Sequence, residues 1–151
     1  MSATPKLNLD RFTPYRLSVM TNRVSSAIAQ HYDERFNLSI PEWRVIAVLG
    51  QSPGLSARQV AERSAMDKVQ VSRAVASLLA ARRLRKEAHA SDGRVVHLSL
   101  SAKGQAIYDE VVPLALGLEK RFLSVLNQQE RKALDRLLSK LLSSSDQLWH
   151  P

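Results

Sequence analysis

The chain has 151 residues, with 22 Lys+Arg against 14 Asp+Glu, a net charge of +8 and a pI near 10.3. That length fits one domain, with or without an oligomerisation extension, and the basic balance suits an anionic partner such as nucleic acid, an acidic membrane surface or an acidic ligand. The lack of cysteine excludes disulfides, thiolate metal sites and cysteine redox chemistry; with no signal-peptide core and no apolar run of bilayer length, a soluble cytoplasmic protein without a membrane partner is expected.

Residues 1–12 are polar and proline-marked and read as a loose arm. From Thr13 to about Arg35, Leu17, Met20, Val24, Ala27, Ile28 and His31 fall on one helical stripe, and Pro14 suits the first turn. Ser39 then caps a second helix, with Glu42 at the capping-box spacing and Trp43, Ile46, Ala47 and Leu49 as its apolar residues, ending near Gln51. Ser52-Pro53-Gly54 is a turn. Ser56 and Gln59 repeat the box for a short third helix that buries Val60 and Ala61. After Ser64-Ala65-Met66, Asp67 caps a fourth helix running to about Arg82, with Gln70 at the box position and Val71, Val75, Leu78 and Leu79 facing inward.

Leu84–His89 and Arg94–Leu100 are extended candidates around the turn Ala90-Ser91-Asp92-Gly93. The second alternates, with Val96, Leu98 and Leu100 on one side and Val95, His97 and Ser99 on the other. Ser101 caps a fifth helix to about Leu126, which Pro113 should kink. Asn127 to Glu130 opens a sixth, striped by Leu134, Leu137, Leu138, Leu141 and Leu148. Helix, tight turn, helix and hairpin make a winged helix-turn-helix, so the fold class is mainly α with a small β-hairpin wing (α+β).

The chemistry concentrates in that stretch. Leu55 to Val95 holds nine Lys/Arg against four acidic residues, a net +5. Lys68, Gln70, Ser72 and Arg73 cluster at the N-terminal end of the fourth helix, where a helix in the major groove meets base edges. Gln pairs with adenine and Arg with guanine; a solvated polar face is the plain alternative for any one of them. Arg82, Arg83, Arg85 and Lys86, at the base of the wing, suit phosphate contacts. Asp92 and Arg94, two apart at the hairpin tip, suit an arginine entering the minor groove with its guanidinium held by the carboxylate; a surface ion pair is the other reading.

Three stretches carry a family resemblance: Ala57–Arg63, Asp67–Leu79 with Val71-Ser72-Arg73 inside it, and the run Ser91-Asp92-Gly93-Arg94 through Leu100-Ser101-Ala102-Lys103-Gly104. Together they resemble the MarR family of bacterial transcription regulators, with Ser101 where the family usually has Thr. The resemblance implies a two-fold dimer built by the first and last two helices, reading a pseudo-palindromic operator in double-stranded DNA with one recognition helix per half-site. The implied organisation is 1–36 arm and dimerisation helix, 37–100 DNA-binding domain, and 101–151 dimerisation helices. Independently, the leucines of the sixth helix and Val111, Val112, Leu114, Leu116, Leu118, Phe122 and Val125 offer more apolar surface than a small monomer covers.

The resemblance also implies a small anionic or aromatic effector, such as an aromatic acid or its CoA thioester. Tyr15, Arg16, His31 and Trp43 are candidate cleft residues: Arg16 could grip a carboxylate and Trp43 stack on a ring, while Trp43 reads more readily as core and His31 as a packing histidine. Ile40-Pro41-Glu42-Trp43-Arg44-Val45 looks like a branch of the family tied to aromatic catabolism. His89 and His97 could approach across the hairpin, but the nearby acids are only Glu87 and Asp92, so no metal site is expected. No nucleophile elbow, zinc-protease helix or phosphate loop is present, so no catalytic residues and no cofactor are expected. The expected function is a dimeric, ligand-responsive repressor; the alternative is a winged-helix architectural or protein-interaction module without a specific operator.

Overall fold

The computed structural model describes residues 4–89 and 92–149, with backbone only for 88, 89, 92–94 and 149. A 3₁₀ turn at Leu9–Arg11 precedes α1 (Thr13–Phe36), α2 (Ile40–Gln51), α3 (Ala57–Ser64), α4 (Lys68–Ala80), β1 (Leu84–His89), β2 (Asp92–Leu100), α5 (Ala102–Phe122), a second 3₁₀ turn (Leu123–Val125) and α6 (Gln128–Trp149). The mainly helical class with a two-stranded antiparallel wing stands as expected. α4 stops two residues short of Arg82, β2 starts two residues before Arg94, and the end of α5 tightens into the 3₁₀ turn.

Caps start α2 to α6 where the sequence places them. Ser39 Oγ accepts from Glu42 N–H at 3.2 Å, and the Glu42 carboxylate accepts from Ser39 N–H at 3.1 Å. Ser56 with Gln59 and Asn127 with Glu130 make the same reciprocal pairs. The Asp67 carboxylate accepts from Gln70 N–H at 2.8 Å, and the Ser101 hydroxyl from Gly104 N–H at 3.1 Å. Each such cap satisfies orphan amides at a helix start and stabilises by about 1 kcal/mol.

The described residues fall into two compact units that divide after Ala115. In the first, one core joins Val45, Ile46 and Leu49 of α2 to Val60 of α3, Val71 and Leu78 of α4, and Leu84 and Leu98 of the wing. Ile107 and Val111 of α5 belong to the same core. From α1 the buried residue is Tyr32, at 1% exposure; His31 is exposed, which corrects its place on the inner stripe. The aromatic contact explains the choice: the Tyr32 ring lies 5.7 Å from the Trp43 ring, and Trp43 in turn lies 6.3 Å from Tyr108. Burial pushes the Tyr32 hydroxyl up to about 12, against the pull of the Arg44 charge.

The hairpin is pinned on both edges of β2. Leu84 pairs with Leu100 and Lys86 with Leu98 along β1. On the other edge Leu98 bridges Leu55: Leu98 N–H donates to the Leu55 carbonyl at 2.8 Å, and Gly54 N–H donates to the Leu98 carbonyl at 2.9 Å. His97 Nδ1 lies 2.7 Å from the Gly54 carbonyl. Gly54 has φ +81, a left-handed conformation that its lack of a Cβ makes accessible. Of the alternating apolar residues Val96, Leu98 and Leu100, only Leu98 is buried and Leu100 half-buried; Val96 is exposed.

In the second unit none of the described residues is buried. On α6, Leu137, Leu138, Leu141 and Leu142 lie 48%, 40%, 52% and 68% exposed. Among the described residues, no helix is long and apolar enough to cross a membrane.

Candidate nucleic-acid interface

The position of α4 is set from its inner side. Val71, Ala74, Val75 and Leu78 are buried, and Leu79 packs against the core from its margin. Ser77 Oγ donates to the Glu42 carboxylate at 3.0 Å, so the residue that closes the cap of α2 also holds α4. With that face fixed, Lys68, Val69, Gln70, Ser72 and Arg73 are all left exposed in the first turns. The positive end of the helix dipole lies at the same end and favours an anionic partner. Lys68 and Ser72 border a shallow groove against Arg58 of α3, floored by Ala61, Val71 and Val75.

The C-terminal end of α4 is a Schellman closure with an arginine where glycine is usual. Arg82 takes φ +58; Arg83 N–H donates to the Leu78 carbonyl at 2.8 Å and Arg82 N–H to the Leu79 carbonyl at 3.0 Å. The start of α5 holds this turn in place. The Ser101 hydroxyl donates to the Arg82 carbonyl at 2.7 Å, Ser101 N–H to the Arg83 carbonyl at 3.1 Å, and the Lys103 ammonium to the Ala81 carbonyl at 3.3 Å. A Cβ on Gly104 would sit 2.0 Å from the Arg83 carbonyl oxygen, so only glycine permits the approach.

This turn separates two neighbouring arginines. Arg82 is exposed at the wing base, as a phosphate contact requires. Arg83 turns inward: its guanidinium donates to the Phe36 carbonyl at the end of α1, and its Nε is buried with no hydrogen-bond partner among the described residues. Arg83 therefore ties α1 to the wing base, which corrects its assignment to the DNA-facing set. Arg85 Nε lies 3.5 Å from the Glu87 carboxylate, both side chains more than 60% exposed, so the pair is weak enough to open for a phosphate. The side chains of Asp92 and Arg94 lie outside the described residues; their backbone belongs to β2.

The four effector candidates do not form one site. Tyr15 and Arg16 line a shallow open depression with Asp10, Thr13, Met20 and Arg23. His31 lies sixteen residues along α1 from Tyr15, roughly 24 Å at 1.5 Å per residue. Trp43 is wedged between Tyr32 and Tyr108 and serves the core.

Three features of this surface escaped the sequence reading. Val69 stands exposed among polar neighbours, and a helical wheel centred on the buried residues would have placed it there. The inward turn of Arg83 depends on the left-handed Arg82, and the bridge from Leu98 to Leu55 on a pairing remote in sequence; neither leaves a local signal.

Comparison with known proteins agrees with this geometry. Residues 36–95 match the model of the MarR family. An HTH-type transcriptional repressor of Mycobacterium tuberculosis (strain ATCC 25618 / H37Rv) is 27% identical over 128 residues, 84% of this chain and 88% of that protein. The HTH-type transcriptional regulator BilQ of Clostridium symbiosum is 30% identical over 96 residues, 64% of this chain and 67% of that protein. The crystal structure of a MarR/EmrR family transcriptional regulator from Acinetobacter sp. ADP1 is similar with a TM-score of 0.84 at 28% identity, over 93% of this chain and 99% of that one.

Proposed function

This chain belongs to the MarR family of transcription regulators, and we propose that it acts as a homodimeric repressor that reads a pseudo-palindromic operator and is released by a small aromatic acid or its CoA thioester. In this reading residues 37–100 are the DNA-binding domain, and 1–36 and 101–151 pair two copies. The observation that carries it is α4: a helix locked through Val71, Ala74, Val75 and Leu78 that leaves Lys68, Gln70, Ser72 and Arg73 exposed at its positive end. Gln70 and Arg73 read bases, Lys68 and Ser72 take phosphates or base edges, and Arg82 and Arg85 anchor the backbone at the wing base. Arg94 enters the adjacent minor groove with Asp92 holding its guanidinium. The exposed leucines of α6 favour pairing of two copies, since a contiguous apolar face of that kind marks an interface. The Mycobacterium relative, a repressor, supports the sign of regulation. Arg16 and Tyr15 offer a cation and a phenol to an aromatic carboxylate.

A mobility-shift titration on the DNA upstream of the chain's own gene, with competitor DNA, tests the core of this reading. Affinity on the order of 10⁻⁸ M that falls steeply with salt and resists competitor is the expected result; equal affinity for operator and competitor would leave the architectural-module alternative. Arg94→Ala should weaken the operator complex strongly. Calorimetric titration of hydroxycinnamates, benzoates and their CoA thioesters tests the effector, and a panel without a binder removes that part.

A further inference from the structure

Val69 is the large apolar residue that the packing of α4 leaves out, at 60% exposure. Measured at 3.6 residues per turn from the centre of the buried set Val71, Ala74, Val75 and Leu78, Val69 and Arg73 lie within roughly 30° of the opposite direction. Lys68, Gln70 and Ser72 stand well to either side. Val69 and Arg73 are one turn apart, at i and i+4, so their side chains are neighbours on the outward crest of the helix. A β-branched residue there does nothing for the helix, because alanine is the better helix former at an exposed position. It also buries no core area.

An apolar group on the crest of a helix entering the major groove has one matching feature on DNA, the C5-methyl of thymine. We propose that Val69 is a specificity-determining residue that covers a thymine methyl in each half-site, next to the base pair taken by Arg73. This inference rests on the DNA-binding reading above and adds to it a base preference that hydrogen-bonding side chains alone would not supply. Lys68 and Arg73 hold the crest against the anionic duplex, and water leaves the valine and the methyl when they meet.

The test uses the full-length protein. Selection from a random duplex library defines the preferred site, and each thymine of a half-site is then replaced by deoxyuridine, which removes only the methyl. For the native chain, one position per half-site should lose affinity by about four-fold, the effect of one buried methyl-sized group, and by about sixteen-fold when both half-sites are changed. Val69→Ala, which shortens the apolar side chain, should discriminate thymine from deoxyuridine clearly less than the native chain while keeping the native salt dependence; alanine favours the helix, so the variant folds. A Val69→Ala protein that keeps the native thymine preference overturns the inference, as does a selected site with no methyl-sensitive thymine. A library that yields no preferred sequence overturns the specific-operator reading as well, which separates the two failures.

Discussion

In α4 the apolar residues Val71, Ala74, Val75 and Leu78 are closed over within the chain, while Leu137, Leu138, Leu141 and Leu142 of α6 are 40–68% exposed. Both helices carry an apolar stripe, and the sequence pattern of the two is alike. The difference lies in what the chain supplies opposite the stripe. α4 meets α2, α3 and the hairpin; none of the described residues after Ala115 is buried. The first unit therefore completes its own core, whereas the leucines of α6 are left exposed, as the proposed pairing of two copies requires.

The largest expected effect is on the α6 side. Replacing Leu137 and Leu141 together by Glu should give a monomer in sedimentation and reduce operator affinity by about a thousand-fold, towards non-specific binding. A variant that stays dimeric would show that this leucine face is not the pairing surface.

On the closed side, Tyr32 gives a pH signature. Its hydroxyl holds its proton more tightly folded than unfolded, so its stabilisation is complete below the unfolded value near pH 10 and is lost as pH rises through the folded value of about 12. Over that window the native chain should lose about 2–3 kcal/mol relative to Tyr32→Phe in denaturant titrations. Parallel alkaline profiles for the two proteins would show that burial does not hold the Tyr32 proton.

Gly104→Ala sharpens the boundary between α4, the wing and α5. The new methyl meets a backbone carbonyl that Ser101 also holds, so thermal unfolding should show about 1–3 kcal/mol of destabilisation. The smallest effect is Arg82→Gly, which relieves a left-handed arginine and should stabilise the fold by about 1 kcal/mol. The same change should reduce the salt slope of DNA binding by about one unit for each phosphate contact removed. Opposite signs for stability and binding would mark Arg82 as a residue kept for DNA; matching losses would make it structural.

The caps at Ser39, Ser56, Asp67, Ser101 and Asn127 could be read in the sequence because each is a local contest settled within four residues. The order of the helices followed from them, and with it the exposed polar residues of α4. Choosing between His31 and Tyr32 could not be settled locally, since both lie at helical spacing from Ile28; the Trp43 ring decides it from another helix. Arg82 and Arg83 are identical in type and adjacent, and a single positive φ sends one to solvent and the other to the Phe36 carbonyl. Nothing in the α6 stripe itself says whether its partner is in the same chain.

In the proposed dimer, two reading heads act at a spacing set by the helices that pair them. Inserting five base pairs between the half-sites of the selected operator turns one half-site to the opposite face of the duplex, because a turn takes about 10.5 base pairs. Titration of this duplex should give an affinity close to the non-specific level, although every base contact is still available. Affinity equal to that of the intact operator would show that the heads read DNA independently, and would contradict it.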